Sequence, residues 1–246
     1  MSRSGIKNDL ECLVVCEGST DYEIIKGIVE NIGKQLNSRF VTRLLAPRQD
    51  ATSGTLECFG WTRVKEWCEH HRNAHNKGND PIGALLSFID NGIVLIQFDT
   101  DIAQEITLNS NNSIQSFSGN EEDRKEWCNK ACKIWLGGCS SNSRISFLLT
   151  TWQLETWILA AFDEKTHPAI FTNSIVNYEQ IPDVESKLIN MGFASKSASG
   201  RKRLKKKPDT YRNKYLPIIL NNISAIQQRC PEFAAFIKLL NDHKHK

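Results

Sequence analysis

Two short apolar runs, each stopping abruptly at acidic residues, constrain this chain more than any other feature. Residues 11–16 read Glu-Cys-Leu-Val-Val-Cys and end at Glu17-Gly18, while residues 93–98 read Ile-Val-Leu-Ile-Gln-Phe and end at Asp99-Thr100-Asp101. A strand with one wet face alternates polar and apolar residues, whereas a strand covered on both faces is apolar almost throughout. Such runs predict strands buried under helices on either side. The segment after Gly18 fits this reading: Ile24, Ile25, Ile28 and Val29 recur at helical spacing, with Thr20 as the expected cap and Glu23 at the capping-box position.

The alternation continues along the chain. Residues 40–46 predict a second strand stopped by Pro47, residues 54–60 a loop, and residues 61–76 and 82–89 helices. Asn91-Gly92 marks the turn into the third strand, and the Asn- and Ser-rich residues 107–120 predict a loop. Residues 121–136 form a helix ended by Gly137-Gly138, residues 145–151 a fourth strand and residues 154–162 a further helix. Strands alternating with helices specify an α/β class, a Rossmann-like, mostly parallel sheet of about four strands flanked by helices. Beyond about residue 163 only helices and loops are expected, at 182–191, 208–228 and 231–243. The expected organisation is an α/β core over 1–163 and a helical C-terminal region over 164–246 that carries a basic loop at 201–207. Lys-Glu-Trp-Cys occurs twice, at 65–68 and 125–128, but the flanks share only helical patterning, so no duplication is inferred.

Composition excludes several classes. No apolar run nears the roughly 18 residues that span a bilayer, and the first nine residues contain no apolar core of a secretory signal. A cytoplasmic protein without membrane contact is expected. Of eight cysteines, Cys12 and Cys16 sit inside the first apolar run and behave as small hydrophobes. Cys128, Cys132 and Cys139 form one loose cluster, and Cys68, His70, His71 and His75 another. Neither holds the two tightly spaced ligand pairs of a structural zinc site, so reduced thiols are expected. The net charge of +3 is uneven: Arg201, Lys202, Arg203, Lys205, Lys206 and Lys207 supply six positive charges, leaving the rest of the chain at −3. A basic stretch on a mildly acidic body suits a phosphate backbone, although such a run also occurs as a solvated loop.

Chemistry in parallel α/β sheets gathers beyond the carboxyl ends of the strands. Glu17 follows the first strand, Asp99 and Asp101 the third, and Glu155 lies just beyond the fourth. Crowded, buried carboxylates each cost several kcal/mol without compensation. A hard divalent cation resolves the repulsion, and Mg²⁺ takes one or two carboxylates together with waters and substrate phosphate oxygens. Asp21, one turn into the first helix, is placed to support a second ion, as in two-metal phosphodiester cleavage. Each acid alone has a blander reading; Asp21 alone, for instance, is a first-turn acid favoured by the helix dipole. Trp152 and Trp157 flank Glu155 as core residues or as platforms for a base.

These residues carry a resemblance. Leu13-Val14-Val15-Cys16-Glu17-Gly18-Ser19-Thr20-Asp21 resembles the opening motif of Toprim domains, and Ile93 to Asp101 resembles their Asp-x-Asp strand. Glu155-Thr156-Trp157 followed by Ile158-Leu159-Ala160 is similar to the Glu-x-Trp-Leu segment of small stand-alone Toprim/OLD-like proteins linked to phage defence, and Lys207-Pro208, Tyr211 and Lys214 resemble their C-terminal region. The resemblance implies that Glu17 serves as general acid or base, that Asp99 and Asp101 bind Mg²⁺ or Mn²⁺, and that Asp21 adds to the metal site; Glu155 joins it as a metal ligand by its place beyond the fourth strand. Read from the residues themselves, Lys214 is a candidate catalytic lysine stabilising phosphate charge, with a solvated lysine as the alternative, and residues 201–207 are the candidate grip on nucleic acid. The implied activity is hydrolysis of DNA or RNA phosphodiesters by a nuclease in anti-phage defence. The alternative is a non-catalytic or partner-dependent Toprim subunit working with a separate ABC/AAA-type ATPase chain. The amphipathic tail leaves a homodimer open.

Overall fold

A computed structural model describes residues 10–47, 60–110, 113–120, 123–150, 152–171, 177–198 and 200–243. Residues 1–9, where no secretory signal is expected, and all but Gly60 of the expected 54–60 loop lie outside these residues. In chain order the elements are β1 (Leu10–Val15), α1 (Ser19–Gln35), β2 (Phe40–Ala46), α2 (Trp61–His75), α3 (Pro81–Ser87), β3 (Gly92–Asp99), β4 (Thr107–Ser110), β5 (Ser113–Ser116), α4 (Arg124–Leu136), β6 (Ile145–Thr150) and α5 (Glu155–Leu159). They continue with α6 (Val184–Asn190), β7 (Ser195–Ala198), β8 (Arg201–Leu204), α7 (Pro208–Thr210), a π-helical turn Tyr211–Tyr215, α8 (Leu216–Asn221), α9 (Ile223–Arg229) and α10 (Pro231–Asp242).

The main sheet has the order β2-β1-β3-β6 with every neighbouring pair parallel. Its two central strands, β1 and β3, are buried along their whole length, as uninterrupted apolar runs require. Side chains of a strand point alternately to opposite faces, and here the alternation divides the molecule into two cores. Leu10, Cys12, Val14, Ile93 and Leu95 join α1, α5 and the C-terminal helices in one. Leu13, Val15, Val94, Ile96 and Phe98 join α2, α3 and α4 in the other. Trp157 is core, packed between Phe233 and Phe236 with ring centroids 5.0 and 6.0 Å away. At roughly 1.5–3 kcal/mol for each large apolar side chain buried, these two layers drive the fold. The C-terminal helices share the first core with β1 and β3, so they are part of one packed face of the sheet.

Several local expectations are corrected. Residues 107–120 are not all loop: β4 and β5 pair antiparallel within them. The C-terminal region is not helices and loops alone, and the basic run is not a loop throughout, because β7 and β8 form an antiparallel hairpin pairing Ser195 with Leu204 and Ala198 with Arg201. Leu204 ends β8 with a buried side chain, while Lys202 and Arg203 before it are exposed. Helix α1 starts one residue before the expected cap, with extended Gly18 at its N-cap, and Thr20 is buried inside the first turn. Glu23 does not close a capping box; it accepts from Arg212 Nε at 2.7 Å and Nη2 at 2.6 Å. The seven described cysteines are free and buried. No described helix is long and apolar enough to cross a membrane.

Candidate metal centre at the acidic edge

The strand order reverses between β1 and β3: β2 lies beyond one and β6 beyond the other. A crevice opens at the carboxyl ends of strands at such a switch point, because the connections leave in opposite directions. Glu17 leaves β1 and Asp99 ends β3 at this place. The two are joined directly, the backbone N–H of Asp99 donating to Glu17 Oε1 at 2.7 Å.

Asp99 shares the parity of Ile93 and Leu95, so it faces the layer containing α1 and the C-terminal helices. Gln97, two residues earlier on the same side, donates to its Oδ1 at 3.1 Å. Thr150 Oγ1 at 2.5 Å and the Leu154 N–H at 3.1 Å donate to the same oxygen. Three donors on Oδ1 lock the rotamer and leave Oδ2 for another ligand. The fully buried Glu155 at the start of α5 accepts from Tyr211 Oη at 2.5 Å and from Lys206 Nζ at 2.9 Å, both on Oε1. Its Oε2 is buried without a partner. Asp21 is buried in the first turn of α1, where the helix N-terminus favours negative charge.

The electrostatics report the crowding. Burial and then the charges of Asp21 and Asp101 push Glu17 up to about 8, against the Asp99 N–H and Lys206. Burial and then Glu155 push Asp21 up to about 7. Asp99 is driven well above the carboxylate range by burial and by Glu17, Asp21 and Glu155. Asp101 is raised by desolvation of its carboxyl and by Glu155 and Glu105, with Lys206 and Arg124 opposing. Glu155 alone is lowered, since Lys206 and Tyr211 overcome the penalty of its burial. Burial works against the Lys206 ammonium, yet Glu155, Asp99 and Asp21 raise its pKa. Five acids thus face one lysine.

Glu17, Asp21, Asp99, Asp101 and Glu155 are therefore brought into one mutually interacting group. Lys214 is not: it is exposed on the π-helical turn and makes none of the contacts that join the acids. Lys206, expected among the residues gripping a nucleic-acid backbone, stands at the acids instead. Of the remaining basic residues, Lys202, Arg203 and Lys207 are exposed, Lys205 is half-buried, Arg203 reaches Glu185 at 3.3 Å, and Arg201 begins β8. Thr150, Gln97 and Arg124 escaped the sequence reading, and Tyr211 entered it only through the C-terminal resemblance, with no role at Glu155. Gln97 carried a signal, being polar in the middle of a buried apolar strand.

Beside the turn after β3 lies a cleft of about 870 Å³ lined by residues that include Gln104, Arg124, Lys125, Trp152, Glu179 and Glu232; the five acids are not among its lining residues. Asp101 N donates to Trp152 O at 3.2 Å, Trp152 N to Thr100 Oγ1 at 3.2 Å, and Arg124 to the carbonyls of Thr100 and Asp101 at 3.3 and 3.2 Å. The Arg124 guanidinium lies 4.4 Å from the Trp152 ring centroid. Trp152 holds φ +64°, a left-handed conformation costly for a bulky residue and fixed here by these contacts.

The donor set fits a hard divalent cation: all oxygen, strongly anionic, with an orphaned Glu155 oxygen and an uncommitted Asp99 oxygen. Among the described residues no three of these acids bring ligand oxygens within 4.8 Å of one another. Mg²⁺ does not require that, since it keeps several waters beside one or two carboxylates. In comparisons with family models, curated proteins and solved structures, nothing matched this chain.

Proposed function

We propose that this chain is a divalent-metal-dependent nuclease that hydrolyses phosphodiester bonds in DNA or RNA. One observation carries the reading: five carboxylates, from the turns after β1 and β3, the end of β3, α1 and α5, meet one lysine at the switch point of a parallel sheet. An arrangement so anionic is costly as a purely structural feature, and it suits a site that binds Mg²⁺ or Mn²⁺ with a phosphate.

Asp99 Oδ2 and Asp101 would hold the cation, with Glu17 beside them and Asp21 and Glu155 supporting a second. Bound there, the metal supplies Lewis-acid activation of the phosphate and a water of lowered pKa. The protein's own residues do the rest. Glu17, fixed by the Asp99 N–H, holds or passes the proton of the attacking water. Lys206, oriented by Glu155, offers positive charge to the phosphoryl oxygens. Arg124, stacked on Trp152, lines an adjacent cleft and adds positive charge beside the acids, and the exposed Lys202, Arg203 and Lys207 hold the backbone. The resemblance to small defence-associated Toprim proteins extends the proposal to anti-phage defence.

Replacing Glu17 tests this directly. Glu17→Ala should abolish cleavage and leave a cooperative thermal transition; cleavage at the wild-type rate by that variant would contradict the proposal.

A further inference from the structure

The opposite edge of the sheet, where the strands begin, carries a second group of ligating side chains. Helix α2 ends there with His75, the connection to α3 supplies Asp80, and the turn Gly137–Ser141 between α4 and β6 supplies Cys139. One ligand atom from each of the three lies within 4.8 Å of the other two. The sequence separates His75 and Cys139 into two loose clusters, and only the fold brings them together.

From this grouping we infer that His75, Asp80 and Cys139 form a zinc site distinct from the acidic edge. Four observations support it. The set is mixed nitrogen, oxygen and sulfur, which suits Zn²⁺ and not Mg²⁺. An imidazole, a carboxylate and a thiolate sum to two negative charges, matching the ion. His75 Nδ1 is buried with no hydrogen-bond partner, so the ring carries a nitrogen the protein leaves unserved. Finally, two of the ligands lie close against glycines. A Cβ at Gly138 would lie 2.6 Å from His75 Nε2, and one at Gly83 would lie 2.0 Å from Asp80 Oδ2.

The ligands are already partly held in place. Asp80 Oδ1 accepts from the Gly83 N–H at 2.9 Å, which caps α3 and turns the carboxylate. Cys139 is buried, with its thiol 3.7 Å from the His71 carbonyl. On binding, the Cys139 S–H bond breaks, sulfur keeps the electron pair and bonds zinc, and the proton leaves to solvent. Three protein ligands would leave a fourth tetrahedral position for water, and Asp80 is exposed. The site clasps the ends of α2 and α4 to the start of α3.

The test uses the whole chain, stripped with a chelator and titrated with Co²⁺, then with Zn²⁺. Wild type and Asp99→Asn should both develop the near-ultraviolet thiolate-to-cobalt charge-transfer absorption, saturating with one Co²⁺ and erased by one Zn²⁺. Cys139→Ser should lack it, and Cys128→Ser should keep it. Asp80→Asn, at an exposed position that threatens folding least, should weaken Co²⁺ binding about tenfold or more. Absence of the band in wild type, its survival in Cys139→Ser, or unchanged affinity in Asp80→Asn would overturn the inference.

Discussion

Lys206 Nζ lies 2.9 Å from Glu155 Oε1, and this ion pair ties the segment after the C-terminal hairpin to the acidic edge of the sheet. The two partners are unequal, the glutamate being wholly buried and the lysine side chain 42% exposed. Removing the lysine therefore costs chiefly what it costs to leave Glu155 charged with only Tyr211 as partner. Lys206→Ala should lower stability by about 1–3 kcal/mol, allowing for solvent screening of the lysine. It should also depress cleavage strongly, while Lys214→Ala leaves both near wild type. Urea denaturation and initial rates on the two variants check this, and a large loss only in Lys214→Ala would reverse the assignment.

The same pair shows where the amino-acid pattern is informative and where it is silent. The apolar runs before Glu17 and Asp99 announce buried parallel strands, and their acids fall at one edge because the strands run the same way. That Lys206 and not Lys214 meets the acids depends on the β7–β8 hairpin. Its strand lies in a run of like charges with one apolar residue, Leu204, too little to show a period of two. The β4–β5 hairpin was hidden similarly, since short Asn- and Ser-rich strands carry turn composition. Tyr211 reaches Glu155 from a π-helical turn, and such a turn has no sequence signature.

Helix α1 approaches β2 closely at Gly33, where an added Cβ would lie 2.8 Å from Phe40 Cβ and 3.0 Å from the Phe40 backbone nitrogen. Backbone cannot swing aside as the end of a side chain can. Gly33→Ala should therefore destabilise the fold by about 1–3 kcal/mol despite alanine's better helix propensity. Gly192→Ala is a different case, strained by its φ of +91° with open space around it. A thermal melt of Gly33→Ala no lower than wild type would contradict the close packing.

Glu179 accepts the N–H of Glu232 on both carboxylate oxygens, at 2.9 and 3.2 Å, at the N-terminus of α10. Burial, and then the Glu232 charge, push it up from 4.5 to about 7. Between these values the folded chain holds a proton that the unfolded chain has released. The contribution of Glu179 is thus most favourable below the lower value and declines as pH rises toward the upper one. Glu179→Gln should remove that decline. In denaturation at pH 5 and 7.5, the variant should gain on wild type at the higher pH; an equal difference at both would contradict the shift.

The exposed hairpin side of the basic segment should act through charge alone. Replacing Lys202, Arg203 and Lys207 by alanine should weaken binding to duplex DNA at low salt. It should also flatten the dependence of log K on log salt by about 0.9 for each phosphate that is no longer neutralised. Fluorescence anisotropy across a salt series reads this. An unchanged slope would place the nucleic acid elsewhere, for example along the Arg124 and Trp152 cleft alone.

The most direct test of the acidic edge as a nuclease centre is a cleavage assay on mixed DNA and RNA substrates, with Mg²⁺ or Mn²⁺ present or chelated. It compares wild type with Asp99→Asn, which keeps the shape of the side chain that receives Thr150, Gln97 and Leu154. Products are expected only with metal and only with Asp99 intact. Cleavage that persists in Asp99→Asn or under chelation, or no cleavage of either nucleic acid by the wild-type chain, would contradict a metal-dependent nuclease centre at this edge.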